Sequence, residues 1–179
     1  TICIGQNSTL TGSGANTYSW STGGTGTNII VSPAANTTYT VTGTTAAGCT
    51  GTASVTVTIS PNATITASAA PSAICPGENT TLTGSGGDTY VWSTGGTNAS
   101  IPVSPAATTS YTVTGTTVSG CSGTTSVTVT VNPIPTVGAT ASPVAICDGE
   151  SATLTGSGAN TYAWSTGGSG TNIIVSPMI

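Results

Sequence analysis

The chain has 179 residues, none of them Lys, Arg or His, and its four carboxylates (Glu78, Asp88, Asp148 and Glu150) set a net charge of −4. With no cation to neutralise a phosphate backbone, the usual electrostatic route to nucleic acid is closed, and acid–base or triad chemistry that needs His or Lys is excluded with it. A mean hydropathy of +0.24, with Val, Ile, Tyr and Trp regularly placed, separates the chain from disordered polar sequences. No apolar run approaches the roughly 18 residues a membrane span requires, so no membrane insertion is expected.

Read from the N-terminus, the first segment with strand character surrounds Leu10. Tyr18 and Trp20 share one face of the second, between polar Ser19 and Ser21. Ile29 and Val31 mark a third, whose middle position is Ile30 here and Pro102 and Ile174 in later copies. A position that accepts Pro donates no ladder hydrogen bond, so it belongs on an edge and faces outward. Tyr39 and Val41 mark a fourth, and in a fifth Val55, Val57 and Ile59 alternate with Ser54, Thr56 and Thr58, the spacing of a half-buried strand. Thr64–Ser68 supplies a leading strand for the next unit. Glycine clusters such as Gly12-Ser13-Gly14 and Gly23-Gly24 separate the strands as turns, and no segment has a helical period.

Internal self-similarity decides the architecture. Cys3, Cys75 and Cys147 recur every 72 residues, as do Tyr18, Tyr90 and Tyr162, then Trp20, Trp92 and Trp164, then Pro33, Pro105 and Pro177. Tyr39 and Tyr111, and Cys49 and Cys121, keep the same interval. A period this long is a small domain rather than a solenoid turn. The predicted units are residues 1–60, a repeat without its first strand; residues 61–132, a complete repeat; and residues 133–179, a truncated one. Because Thr1 falls inside a repeat, the chain reads as a window from a longer array, with any export signal upstream. Six or seven short strands per unit predict an all-β fold of tandem Ig-like antiparallel sandwiches.

Trp20, Trp92 and Trp164, with Tyr39 and Tyr111, are the expected core, since a unit this small with no Phe has few other bulky side chains to place between two sheets. Tyr39 opens its strand in the manner of a tyrosine corner, which predicts a buried ring and a hydroxyl tied to backbone. The competing use of Trp20 is as a sugar-stacking platform, so glycan binding stands as the alternative function. The carboxylates do not recur: Gln6 stands where Glu78 and Glu150 do, Asn16 and Asn160 match Asp88, and Ile4 and Pro76 match Asp148. Calcium takes six to eight oxygen ligands, so these residues are expected to serve turns, and neither metal, cofactor nor catalytic residue is predicted. Sequons at Asn7, Asn36, Asn62, Asn79 and Asn98 arise by chance in so Thr- and Asn-rich a chain.

Two cysteines per unit without His predict disulfides made in an oxidising compartment rather than zinc sites. Leu10 and Val41 occupy the places of the immunoglobulin inter-sheet cysteines, so the bridge must sit elsewhere. Six alternating strands would put both cysteine corners at one end of the sandwich and bond Cys3 to Cys49 and Cys75 to Cys121; seven would bond Cys3 to Cys121 across the joint. The six-strand pairing is the one expected, with Cys147 pairing beyond the chain.

The segment Cys75-Pro-Gly-Glu-Asn-Thr-Thr-Leu-Thr-Gly-Ser-Gly, followed by Thr89-Tyr-Val-Trp-Ser-Thr-Gly-Gly and by Tyr111-Thr-Val-Thr-Gly-Thr-Thr-Val-Ser-Gly-Cys, resembles the Ig-like repeats of very large Bacteroidetes surface proteins. The resemblance covers the whole chain. It departs from the family where Ser-Thr-Gly-Gly follows Trp92 and where the Gly-Cys turn lacks a preceding Asp. It implies type IX secretion, association with gliding and surface adhesion, an extracellular location attached to the cell surface, and no catalytic residues. The expected role is a structural or adhesive stalk whose partners are neighbouring repeats of the same chain, with lateral self-association or surface glycans as further partners. One consequence of composition is direct: with no Lys or Arg, trypsin leaves the chain intact both native and denatured. An elastase-like protease is expected to cut the strands only after reduction and denaturation, and rapid cleavage of native protein within Val127–Val131 would count against an ordered final strand.

Overall fold

A computed structural model describes residues 1–176, so Pro177, one of the periodic prolines, lies outside the described residues. The described residues are all β, with no helix. Repeat one holds β1 (Ile2–Cys3), β2 (Ser8–Thr11), β3 (Thr17–Trp20), β4 (Asn28–Val31), β5 (Thr37–Thr44), β6 (Thr50–Val57) and β7 (Ile59–Ser60). Repeat two holds β8 (Thr66–Ala70), β9 (Ala73–Ile74), β10 (Thr80–Ser85), β11 (Thr89–Trp92), β12 (Ser100–Val103), β13 (Thr109–Thr116) and β14 (Ser122–Val131). Repeat three contributes β15 (Gly138–Ser142), β16 (Ala152–Ser157) and β17 (Asn172–Val175). The chain divides into two compact units, Thr1–Val131 and Asn132–Ile179, so repeats one and two form one body.

Repeat two displays the whole sandwich. One sheet runs β12-β10-β8 and the other β11-β13-β14-β9. β8 and β9 are a single leading strand broken at Pro71-Ser72, with a cis peptide at Ala70–Pro71. Before the break the strand pairs antiparallel with β10, and after it β9 pairs parallel with β14. It therefore belongs to both sheets, in an Ig-like arrangement. A proline suits the crossing because it has no N–H to leave unpaired between ladders. The Thr80 hydroxyl donates to the Pro71 carbonyl at 2.5 Å and is the buried polar contact holding the bend. Repeat one keeps the same register 72 residues earlier: Ile2 lies opposite Ile59 as Ile74 lies opposite Val131.

The faces that alternation assigns inward form one cluster per repeat. In repeat two Ile65, Leu82, Tyr90, Trp92, Tyr111 and Val113 are among its members; in repeat one Leu10, Tyr18, Trp20, Val31, Tyr39 and Val57 make the equivalent set. Trp92 is 2% exposed and Trp20 4%. Each indole N–H donates to a carbonyl six residues on, Asn98 at 3.0 Å and Gly26 at 2.9 Å, so no donor is left unpaired inside. Leu82 and Val113, at the positions an immunoglobulin gives to its bridge, are fully buried, and packing replaces the covalent bond there. β4, β12 and β17 are edge strands, and Ile30, Pro102 and Ile174 on them all face out.

Three expectations differ from the structure. The tyrosine whose hydroxyl is tied to backbone is Tyr18, not Tyr39: it accepts from the Ala15 N–H at 2.9 Å and donates to the Ala15 carbonyl at 3.0 Å, and Tyr90 does the same with Gly87. Tyr39 and Tyr111 bury their rings alone. The fifth strand is also not half-buried throughout repeat one: Val57 is buried but Val55 is exposed, whereas its counterpart Val127 packs against the core of repeat two. Trp164 is half-buried, since among the described residues repeat three forms a single sheet, β15-β16-β17, with one extra bridge between Ala163 and Ser169. Its indole still donates to Gly170, at 3.0 Å. Replacing Trp92 by Ala is expected to cost about 3–5 kcal/mol in a denaturant titration, whereas exposed Ile30→Ser changes stability by no more than about 0.5 kcal/mol.

Candidate functional site: the stapled joint

The joint between repeats one and two is where the recurrent cysteines and the linker proline come together. Among the described residues no three His, Cys, Asp or Glu side chains come together as a metal site. The carboxylates act locally. Glu78 accepts from the Cys75 N–H at 3.0 Å and Glu150 from the Cys147 N–H at 3.2 Å, each closing its own turn. Asp88 accepts from the Val118 N–H at 2.8 Å, and Asn16 accepts from the Ala46 N–H at the same distance in repeat one. The amide and the carboxylate do one job, fastening the hairpin that carries the second cysteine, which is why the position tolerates either residue.

The joint is built from three pieces. The linker Ser60-Pro61-Asn62 leaves β7, and proline restricts both its own φ and the residue before it. β1 lies parallel to β7 with Cys3 opposite Ser60, and the Ile2 and Ile4 N–H groups donate to the carbonyls of Thr58 and Ser60 at 2.9 and 3.2 Å. From repeat two comes the β13–β14 hairpin, closed by Thr117 N–H to Cys121 carbonyl and Gly120 N–H to Thr117 carbonyl, both 2.9 Å. Gly120 takes φ of 81°, a left-handed value that costs glycine nothing. This hairpin puts Cys121 at the joint, where it is 1% exposed and its Sγ lies 3.9 Å from the Ser60 carbonyl oxygen.

Cys121 is bonded to Cys3, with 5.5 Å between the Cα atoms and 118 residues between them in sequence. This corrects the expected pairing within each repeat: Cys3 does not bond Cys49, Cys75 does not bond Cys121, and Cys49, Cys75 and Cys147 are exposed free thiols in this structure. The reason is that β9 and β14 run parallel, so the corner after β9 and the corner before β14 lie at opposite ends of the sandwich. β14 runs ten residues from the Cys121 hairpin to its pairing with β9, beside Cys75. At about 3.3 Å per residue the two cysteines of one repeat sit roughly 30 Å apart, far beyond the roughly 7 Å limit between bridged Cα atoms. The parallel run of the first and last strands makes the bond cross the joint.

Two side chains that anchor the last strand were not singled out by sequence. Asn36 accepts from the Ile59 N–H at 2.7 Å, and Thr108, its counterpart, accepts from the Val131 N–H at 3.0 Å. Asn36 had registered only as a sequon; the shared feature of the pair is a polar side chain three residues before the buried tyrosine.

No known protein family matches the chain, and no curated protein matches it. Among solved structures it is similar to an amphioxus IgVJ-C2 molecule at 16% identity, over 73% of this chain and 100% of that one, with a TM-score of 0.35. It is also similar to a Ca2+-stabilized adhesin with which an Antarctic bacterium reaches out and binds ice, at 18% identity and a TM-score of 0.35; the match covers 86% of this chain and 52% of that one, about half its length. Peptide mapping without reduction is expected to recover Cys3 and Cys121 in one linked pair; recovery of a Cys3–Cys49 peptide would refute the stapled joint.

Proposed function

We propose that this chain is a segment of a structural or adhesive stalk, extracellular and attached to a cell surface, whose units supply length and resistance to tension rather than chemistry. The observation that carries this reading is the Cys3–Cys121 bond, which spans two successive repeats. A pull applied through the chain enters at Cys3, crosses the two sulfurs and leaves along β14, bypassing the linker and most of both sandwiches. Those residues cannot be drawn out while the bond holds. The strict 72-residue repetition supports the same reading, because a stalk grows by copy number without new design.

The enclosed indoles weigh against the glycan-binding alternative, since a stacking platform needs an exposed ring face and Trp20 and Trp92 have none. The missing His, Lys and Arg support a role outside catalysis, and the uncharged surface offers little repulsion to lateral neighbours. Single-molecule pulling through the two chain ends tests the proposal. Oxidised chains are expected to withhold the 118-residue loop; reduction or Cys121→Ser then releases roughly 400 Å of extra contour at about 3.5 Å per residue. Equal extension in both states would remove the mechanical basis of the stalk.

A further inference from the structure

The two sulfurs of the joint are not equally accessible. Cys121 is 1% exposed, whereas Cys3 is half-buried. Beside Cys3 lies an open cavity of about 430 Å³, whose wall includes Cys3, Ile4, Gln6, Asn7, Asn62 and Ser122 but not Cys121. The wall comes from β1 and the turn after it, the linker and the β13–β14 hairpin, the pieces that build the joint. It presents three side-chain amides and a hydroxyl and carries no charge.

A disulfide exchanges when a thiolate attacks one of its sulfurs, so the sulfur that is reached decides which thiol is expelled. Burial closes the approach to Cys121 Sγ, and the cavity leaves an approach to Cys3. Leaving-group chemistry pulls the other way, since a thiolate is expelled more readily into water than into a buried site. That effect scales the rate. Access sets the direction, because an attacking sulfur must make contact before any bond exchanges.

We propose that this cavity is a site for a small, neutral, polar thiol, which opens the joint by forming a mixed disulfide with Cys3. The attacking thiolate gives its electron pair to the new bond with Cys3 Sγ. The Cys3–Cys121 bond breaks, and its electron pair leaves on Cys121 Sγ, so the incoming thiol is oxidised and Cys121 is reduced. With no cation in the chain to hold a thiolate, Cys121 takes a proton from water, and the Ser60 carbonyl, 3.9 Å from its Sγ, accepts from the new S–H. The hairpin around Cys121 keeps its own closure, Thr117 N–H to Cys121 carbonyl, so the released thiol stays beside Cys3. From there it expels the adduct once free thiol is withdrawn. The joint opens on the repeat-one sulfur and recloses from the repeat-two sulfur. A neutral thiol suits the wall better than an anionic one, because the wall offers hydrogen bonds and no positive charge.

Partial exchange on the native 179-residue protein tests this. N-ethylmaleimide first blocks the exposed thiols Cys49, Cys75 and Cys147. 2-Mercaptoethanol, a neutral polar thiol, is then added briefly, acid stops the reaction, and peptic mapping locates the adduct and the new free thiol. About tenfold or more adduct is expected on Cys3 than on Cys121, with the free thiol on Cys121. In denaturant the adduct is expected to divide evenly between them. Asn62→Trp and Gln6→Trp each put bulk into the cavity and are expected to slow native exchange by about tenfold. Denaturant titration confirms that each variant folds, and either one suffices. Native adduct on Cys121 or evenly divided, the same preference in denaturant, or wild-type exchange rates in the folded variants would each overturn the proposal. Those outcomes leave the Cys3–Cys121 bond standing, so they are distinguishable from failure of the stalk reading.

Discussion

The structure turns on one strand that cannot stay in one sheet. Residues 66–74 begin on β10 and end on β14, and at that end β9 runs parallel to β14, the last strand of the repeat. A first and a last strand that run the same way send the chain in at one end of the domain and out at the other. From that follow the separation of the two cysteines of each repeat, the approach of the β13–β14 hairpin of one repeat to the first cysteine of its neighbour, and a joint that is covalent rather than merely packed. Thr80 and Pro71 hold the bend between the two ladders.

A domain this small and this poor in aromatics must make each large side chain serve twice. The indoles fill the space between the sheets and also tether the turn six residues on; the Tyr18 and Tyr90 hydroxyls lock the turn three residues before them. No buried side-chain polar atom is left without a partner among the described residues. Small residues work in the opposite sense. Gly115 and Gly123 are places where the leading segment needs the room a side chain would take, so the sandwich closes by subtraction at its top edge and by bulk at its centre.

The near absence of charge belongs with this economy. Ion pairs on a protein surface contribute little to stability, so their loss costs the fold little, and what remains is a surface of Thr, Ser and Asn held by ladder and turn hydrogen bonds. Hydroxyl pairs across strands, such as Thr38 with Thr56 and Thr66 with Ser85, both at 2.7 Å, repeat this pattern on the outer faces.

Much of this was legible in the residues themselves. Period-2 alternation and the 72-residue repeat determine the strands, their inward faces and the all-β class, because strand periodicity is a local property that burial imposes on sequence. The outward position shared by Ile30, Pro102 and Ile174 was readable for the same reason: a missing N–H is visible in a single letter. What no local pattern contains is which strands run parallel. Ala69, Ala70 and Ala73 are small and alike on either side of the break, so the sequence does not say where the strand leaves one sheet for the other, and it does not say that the strand runs parallel to β14, the direction on which the pairing of Cys3 depends. The roles of Tyr18 and Gly123 were hidden likewise, since one depends on which tyrosine meets a turn and the other on the distant Ala63 backbone. Those contacts are non-local, and only the packed tertiary structure decides them.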